Sequence, residues 1–231
     1  MTLHEKRKII EKTILTLKRK GLLKEENILI HRRTPEEREK NYKIATQKQI
    51  QNYIKNGCEG YLNLGDAPIT SLPKNLKKVG GDLNLNNTKI TSLPENLVIN
   101  GDLYLGNSSI TSFPNNLIIG GCLHLNNTKI TSLPNNLTVG RSLFLNRNPI
   151  TSLPENLVVN GDLAINNAPI TSLPNNLEVK GSLNLVNTQI ISLPDNLKVK
   201  GYLDLRKTPI SKNYSGNEIR QMCKFGGKIY L

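Results

Sequence analysis

The chain has no tryptophan, three phenylalanines and three histidines, and its three cysteines, Cys58, Cys122 and Cys223, are odd in number and widely separated. Without a C-x-x-C pair they suggest neither a disulfide framework nor a zinc site, and they read as reduced thiols. Apolar runs are equally scarce. No stretch approaches the roughly 18 apolar residues needed to span a membrane, and MTLHEKRKIIEK lacks the apolar run of a secretory signal. A cytoplasmic protein with no membrane partner is therefore expected. The histidines, His4, His31 and His124, are isolated in sequence, no acid pair recurs at a spacing that would place a metal or a proton relay, and neither G-x-x-x-x-G-K-[ST] nor G-x-S-x-G occurs. No catalytic residue, metal or cofactor is expected, and the chain reads as non-enzymatic.

What it has in abundance is itself. GCLHLNNTKITSLPNNLTVG, residues 121 to 140, lies almost letter for letter over GDLNLNNTKITSLPENLVIN, residues 81 to 100. Aligned on Gly-x-Leu-x-Leu, the phrase starts at Gly60, Gly81, Gly101, Gly121, Arg141, Gly161, Gly181 and Gly201, which gives seven full repeats and a closing half. The recurring positions are apolar (Leu123, Leu125, Ile130, Leu133, Leu137, Val139) or turn-forming (Gly121, Asn127, Pro134, Asn136). A unit of 20 residues is too short to bury its own apolar side, so neighbours must stack.

The two leucines of Leu-x-Leu point one way and the residue between them the other, which is the period of a strand. Asn-Thr or Asn-Ala then turns the chain, and the proline of Leu-Pro bends it again before Leu-x-Val runs back. Each repeat is one coil, and pairing between coils at about 4.7–4.9 Å builds a parallel sheet. The expected fold is a mainly β solenoid of 20-residue coils with an α-helical N-terminal cap and a short α/β C-terminal cap, divided as 1–57, 58–210 and 211–231.

Laid against L-x-x-L-x-L-x-x-N-x-L, the segment Leu143-Phe144-Leu145-Asn146-Arg147-Asn148-Pro149-Ile150 matches two leucines, the asparagine and the closing aliphatic. The repeats thus resemble the leucine-rich repeat family in its short bacterial Leu-Pro form. They also depart from it: the asparagine position is filled at Asn148 but holds Thr88, Ser108, Thr128, Ala168, Thr188 and Thr208 in other coils. Asn87, Asn107, Asn127, Asn167 and Asn187, one residue earlier, are the candidates to replace its ladder. The resemblance implies a protein-binding role. Similar repeats occur in effectors that Gram-negative pathogens inject into host cells, some joined to a ubiquitin-ligase domain, and in phage and viral reading frames. By that resemblance the chain would be a phage or effector protein working on a host protein, in the host cytoplasm. Ligase activity is not expected, because Cys223 in IRQMCKFGG has no histidine near it.

The flanks differ in kind. Thr2 with Glu5, and the stripe Leu3, Ile10, Ile14 and Leu17, predict a first helix that Gly21 ends; Asn27 to Ile30 reads as a short strand. Thr34-Pro35-Glu36-Glu37 opens a second helix reaching about Lys55 before Asn56-Gly57. Ser215 with Glu218 predicts a short helix through about Lys224, and KIYL a last strand. The formal net charge of +13 divides as +8 over residues 1–57, +2 over 58–210 and +3 over 211–231. Lys6, Arg7, Lys12, Lys18, Arg19, Arg32 and Arg33 therefore form a candidate contact to nucleic acid phosphates, read against a solvated cap surface. No helix-turn-helix, zinc finger or aromatic RNA motif accompanies them, so base-specific readout is not expected.

The informative variation lies at the outward positions of Gly-x-Leu-x-Leu. The first column runs Tyr61, Asp82, Asp102, Cys122, Ser142, Asp162, Ser182, Tyr202; the second runs Asn63, Asn84, Tyr104, His124, Phe144, Ala164, Asn184, Asp204. Tyr104, His124 and Phe144 stand side by side on successive coils, in a chain with ten Phe and Tyr residues in all. Aromatic anchors ringed by polar groups are the pattern of binding hot spots, the alternative being cross-strand stacking that stabilises the sheet. The candidate protein-binding residues are Tyr104, His124, Phe144, Asp102, Asp162 and Tyr202. The returning segments carry a second candidate surface: Val98, Ile118 and Val158, then Glu178, Lys180, Lys198 and Lys200.

Overall fold

A computed structural model describes residues 12–13, 16–17, 34–135, 137–155, 157–223 and 227–231. The chain divides into two compact units, Met1–Ala45 and Thr46–Leu231. In the first, Lys12, Thr13, Thr16 and Leu17 are helical. The rest of the expected first helix and the expected strand at residues 27–30 lie outside the described residues, as do Lys6, Arg7, Lys18, Arg19, Arg32 and Arg33.

Helix α1 runs Pro35–Lys55. It opens as the capping residues require: the Thr34 N–H donates to Glu37 Oε2 at 2.9 Å and the Glu37 N–H returns to Thr34 Oγ1 at 3.2 Å. Its residues from Thr46 onward belong to the repeat unit, where Thr46 and Ile50 are buried. Tyr53 Oη donates to the carbonyls of Cys58 and Gly60 and accepts from the Gly80 N–H, tying the helix end to the first two coils.

The repeats form a parallel β-solenoid. Each coil contributes one strand to a nine-stranded front sheet: β1 (Leu62–Asn63), β3 (Leu83–Asn84), β5 (Leu103–Tyr104), β7 (Leu123–His124), β9 (Leu143–Phe144), β11 (Leu163–Ala164), β13 (Leu183–Asn184), β15 (Leu203–Asp204) and the closing β16 (Ile229–Tyr230). The register pairs leucine with leucine throughout, so Leu103, Leu123 and Leu143 lie level and fully buried. Returning strands form a second surface: β2 (Lys78–Val79), β4 (Val98–Ile99), β6 (Ile118–Ile119) and β8 (Thr138–Val139) make one sheet, and β10 (Val158–Val159), β12 (Glu178–Val179) and β14 (Lys198–Val199) another. The core between front and return is the recurring apolar set, with Leu125, Ile130 and Leu145 also fully buried.

The turns explain the departures from the leucine-rich pattern. The residues after Leu-x-Leu that must adopt positive φ are Asp66, Asn87, Asn107, Asn127, Arg147, Asn167, Asn187 and Lys207, at φ of 57–62°. Asparagine tolerates that conformation and its side chain bonds locally. The Asn87 amide donates to Asp66, Asn107 to Asn87, Asn127 to Asn107 and Asn187 to Asn167, over 2.6–3.1 Å. A ladder thus forms, one position earlier than in the family pattern. The next position can then be threonine, because its buried hydroxyl donates to the carbonyl three residues back, as Thr88 does to Leu85 and Thr188 to Leu185, both at 2.7 Å.

At the C-terminal end, Thr208 caps helix α2 (Pro209–Asn213), which the sequence reading did not include. Ser215 and Glu218 form the expected capping box of α3 (Gly216–Cys223), with the Ser215 N–H to Glu218 Oε2 distance 2.7 Å. Ile210, Ile219 and Cys223 are buried, and β16 pairs with β15, so the last coil is covered.

Candidate functional site

The site grows from the second outward column of the front sheet. Strands β5, β7 and β9 are in register, with Tyr104 opposite His124 and His124 opposite Phe144. Their rings stack: Tyr104 and His124 centroids are 4.6 Å apart at 14°, His124 and Phe144 4.7 Å at 16°. That spacing is the coil separation itself. All three side chains are half-buried, because each covers its neighbour's face and shows the solvent its edge. The imidazole is the middle ring, so both its faces are covered. Burial pushes His124 below the usual imidazole value, against the opposing pull of the Asp102 carboxylate.

Asp102 joins the stack through Tyr104, whose hydroxyl donates to Asp102 Oδ2 at 3.0 Å. Burial, this hydrogen bond to a carboxylate and the surrounding negative charges push the Tyr104 phenol up to about 12. The other oxygen, Asp102 Oδ1, accepts the Cys122 N–H of the next coil at 2.7 Å. The same link recurs along the first outward column: Asp82 Oδ1 to the Asp102 N–H, Ser142 Oγ to the Asp162 N–H, and Asp162 Oδ1 to the Ser182 N–H, at 2.7–3.0 Å. Asp102 and Asp162 are thus parts of the coil-to-coil stitching, and Asp102 also anchors the aromatic stack. Asp162 lies two coils beyond Phe144's neighbours in this column and has no contact with the three rings among the described interactions.

Tyr202 stands apart from the triplet. It packs edge-on against Tyr230 of β16, with centroids 5.5 Å apart at 88°, where Lys228 also lies over the Tyr230 ring and Arg206 makes a two-pronged pair with buried Asp204. Of the six residues singled out on this face, the structure brings together Tyr104, His124, Phe144 and Asp102. It adds Cys122, which shares β7's outward side with His124: the ligand-type atoms of Asp102, Cys122 and His124 lie within 4.8 Å of one another. Cys-x-His in one strand with Asp twenty residues earlier was a readable signal once the column register was known.

Beside the stack an open groove of about 570 Å³ runs along the turns, lined by Tyr104, His124, Arg147 and a row of asparagines including Asn107, Asn126, Asn127 and Asn146. Its lining is almost wholly amide, so it offers both donors and acceptors. On the return side, Ile118 and Val158 are exposed, and Lys198 lies 3.9 Å from Glu178 in a solvent-facing pair of little energetic weight. Of the basic N-terminal residues only Lys12 is described; it is exposed and helical. Among the described residues no helix is long and apolar enough to cross a membrane. The sequence matches no known family model, and no curated protein is significantly similar to it.

Proposed function

We propose that the chain is a non-enzymatic, leucine-rich-repeat-like binding module that meets a protein partner with its front sheet, at Tyr104, His124 and Phe144. One observation carries the reading: three rings stacked in register on an outward column whose other members are polar or small. Such a stack is rigid before any partner arrives, so little side-chain freedom is lost on docking. The amide-lined groove alongside supplies a polar rim of the kind that surrounds hot spots. By resemblance alone, the partner is a host protein and the chain a phage or effector product acting in the host cytoplasm.

The test is affinity capture from nuclease-treated bacterial and eukaryotic lysates. The expected outcome is a discrete protein retained by wild type and by the return-side variant Ile118→Ser/Val158→Ser, and lost from Tyr104→Ala/Phe144→Ala with its melting curve little changed. If that double variant instead fails to fold, the stack is packing and the reading falls. A second reading rests on the +8 charge of residues 1–57: a sequence-indifferent nucleic-acid binder. Affinity for duplex DNA that falls steeply with salt, and equally in both variants, would move the function there.

A further inference from the structure

One place in the first outward column breaks its own rule. Asp or Ser at 82, 102, 142, 162 and 182 supplies an oxygen to the backbone N–H of the next coil. At Cys122 the link lapses: among the described residues, no side chain accepts the Ser142 N–H. The glycine that accompanies the link lapses too. At Gly101, Gly121, Gly161, Gly181 and Gly201 an added Cβ would collide with the linking oxygen of the preceding coil, whereas Arg141 stands in that position directly after Cys122's coil. Cysteine at 122 therefore serves no part of the scaffold that the other residues of its column serve.

What it does have is two neighbours of ligand chemistry. Cys122 and His124 flank Leu123 and share one side of β7, and Asp102 lies level with Cys122 on β5. A thiolate, an imidazole and a carboxylate are the donors of three-residue zinc sites that keep a fourth position open. Zinc bond lengths of about 2.0–2.3 Å require ligand separations somewhat under 4 Å. The observed limit of 4.8 Å needs only small side-chain rotations.

The surroundings fix the donors as outer partners do in metal sites. His124 is clamped between two rings, and among the described residues neither of its nitrogens makes a hydrogen bond, so either is free for a metal. Asp102 is held by Tyr104 Oη and the Cys122 N–H, one bond to each oxygen, which leaves a lone pair on both. The three groups are half-buried and open to solvent on the outward side.

We infer that Asp102, Cys122 and His124 bind one zinc ion on the front sheet, with a fourth coordination position facing outward. The site stands whether or not a protein docks on this face. The decisive experiment titrates the untagged, reduced full chain with Zn²⁺ by calorimetry and with Co²⁺ as an absorbing substitute. One equivalent should bind, with a thiolate-to-cobalt charge-transfer band. Cys122→Ser should abolish the band and weaken binding by about tenfold or more, as should His124→Gln. Cys58→Ser should change neither. Cys122→Ser places in the column the residue that already works at 142 and 182, so it stays folded and loss of metal cannot be loss of structure. Absence of the band in wild type, or binding that survives Cys122→Ser unchanged, overturns the assignment.

Discussion

The junction between coils 121–140 and 141–160 is built differently from the junctions around it. Elsewhere three side-chain devices join successive coils: an Asp or Ser oxygen on the next N–H, the asparagine ladder in the turns, and a paired return strand. Here Cys122 stands where the Asp or Ser belongs, Arg147 interrupts the ladder, and the return sheet divides between β8 and β10. Other contacts take over. Buried Asn148 accepts from the Thr128 N–H at 2.9 Å and from its hydroxyl at 3.2 Å, and His124 stacks on Phe144. The front-sheet ladder continues unbroken through Leu123 to Ser142 and Leu125 to Phe144. Backbone and leucine core are thus enough to keep the stack in register, and the polar devices are free to be exchanged where another use exists for the positions.

The largest expected effect tests that primacy of the core. Leu143→Ala, at the unusual junction, and Leu183→Ala, at a regular one, both remove a fully buried side chain. Each should cost about 2–5 kcal/mol in urea unfolding, and the two should agree closely. A clearly smaller loss at Leu143 would mean that the junction is loose in its interior as well.

Next come the glycines. A Cβ at Gly181 would collide with Asp162 Oδ1 and stand 2.6 Å from the Gly161 carbonyl carbon. Gly181→Ala should therefore destabilise by roughly 1–3 kcal/mol through forced displacement of the neighbouring coil. Arg141→Ala, at the equivalent place, should stay within about 0.5 kcal/mol of wild type. Equal losses at both would remove the link between glycine and the stitching oxygen.

The stitching itself comes third. Asp162→Ala strands the Ser182 N–H and should lower stability by about 1 kcal/mol. Cys122→Ser should raise it by a few tenths, because a serine oxygen can then reach the Ser142 N–H. A denaturant midpoint that falls in Cys122→Ser would show that the cysteine packs better than a hydrogen bond could compensate.

These devices differ in how far the sequence reveals them. The period, the Leu-x-Leu strands, the two capping boxes and the closing strand follow from residues acting on their own neighbours, so spacing alone exposes them. The aromatic triplet was legible for a related reason: a strict 20-residue repeat converts sequence offset into lateral contact. Helix α2 escaped because Thr208-Pro209 also reads as one more turn of the repeat. The division of the return sheet, the stitching role of Asp102 and Asp162 and the meeting of Cys122 with His124 were hidden because each depends on which way a side chain turns. Asp102 and Asp162 looked like partner-facing charges in the sequence; only the rotamer shows a carboxylate bent along the sheet to the next N–H.

The smallest effect probes the anchor of the aromatic stack. Tyr104 is held protonated by its burial and by donation to Asp102, with its phenol up at about 12. An unfolded tyrosine ionises near 10, so between about pH 10 and 12 the unfolded chain has lost a proton that the folded chain keeps. Stability from this group is therefore complete below about pH 10 and declines as pH rises towards 12. Ultraviolet titration of the phenolate should contain one late component that disappears in Tyr104→Phe. In Asp102→Asn the component should move to lower pH, because the charged acceptor that favours the neutral phenol is gone. Should it stay in place, burial alone would hold the phenol, and Asp102 would serve the next coil rather than the stack.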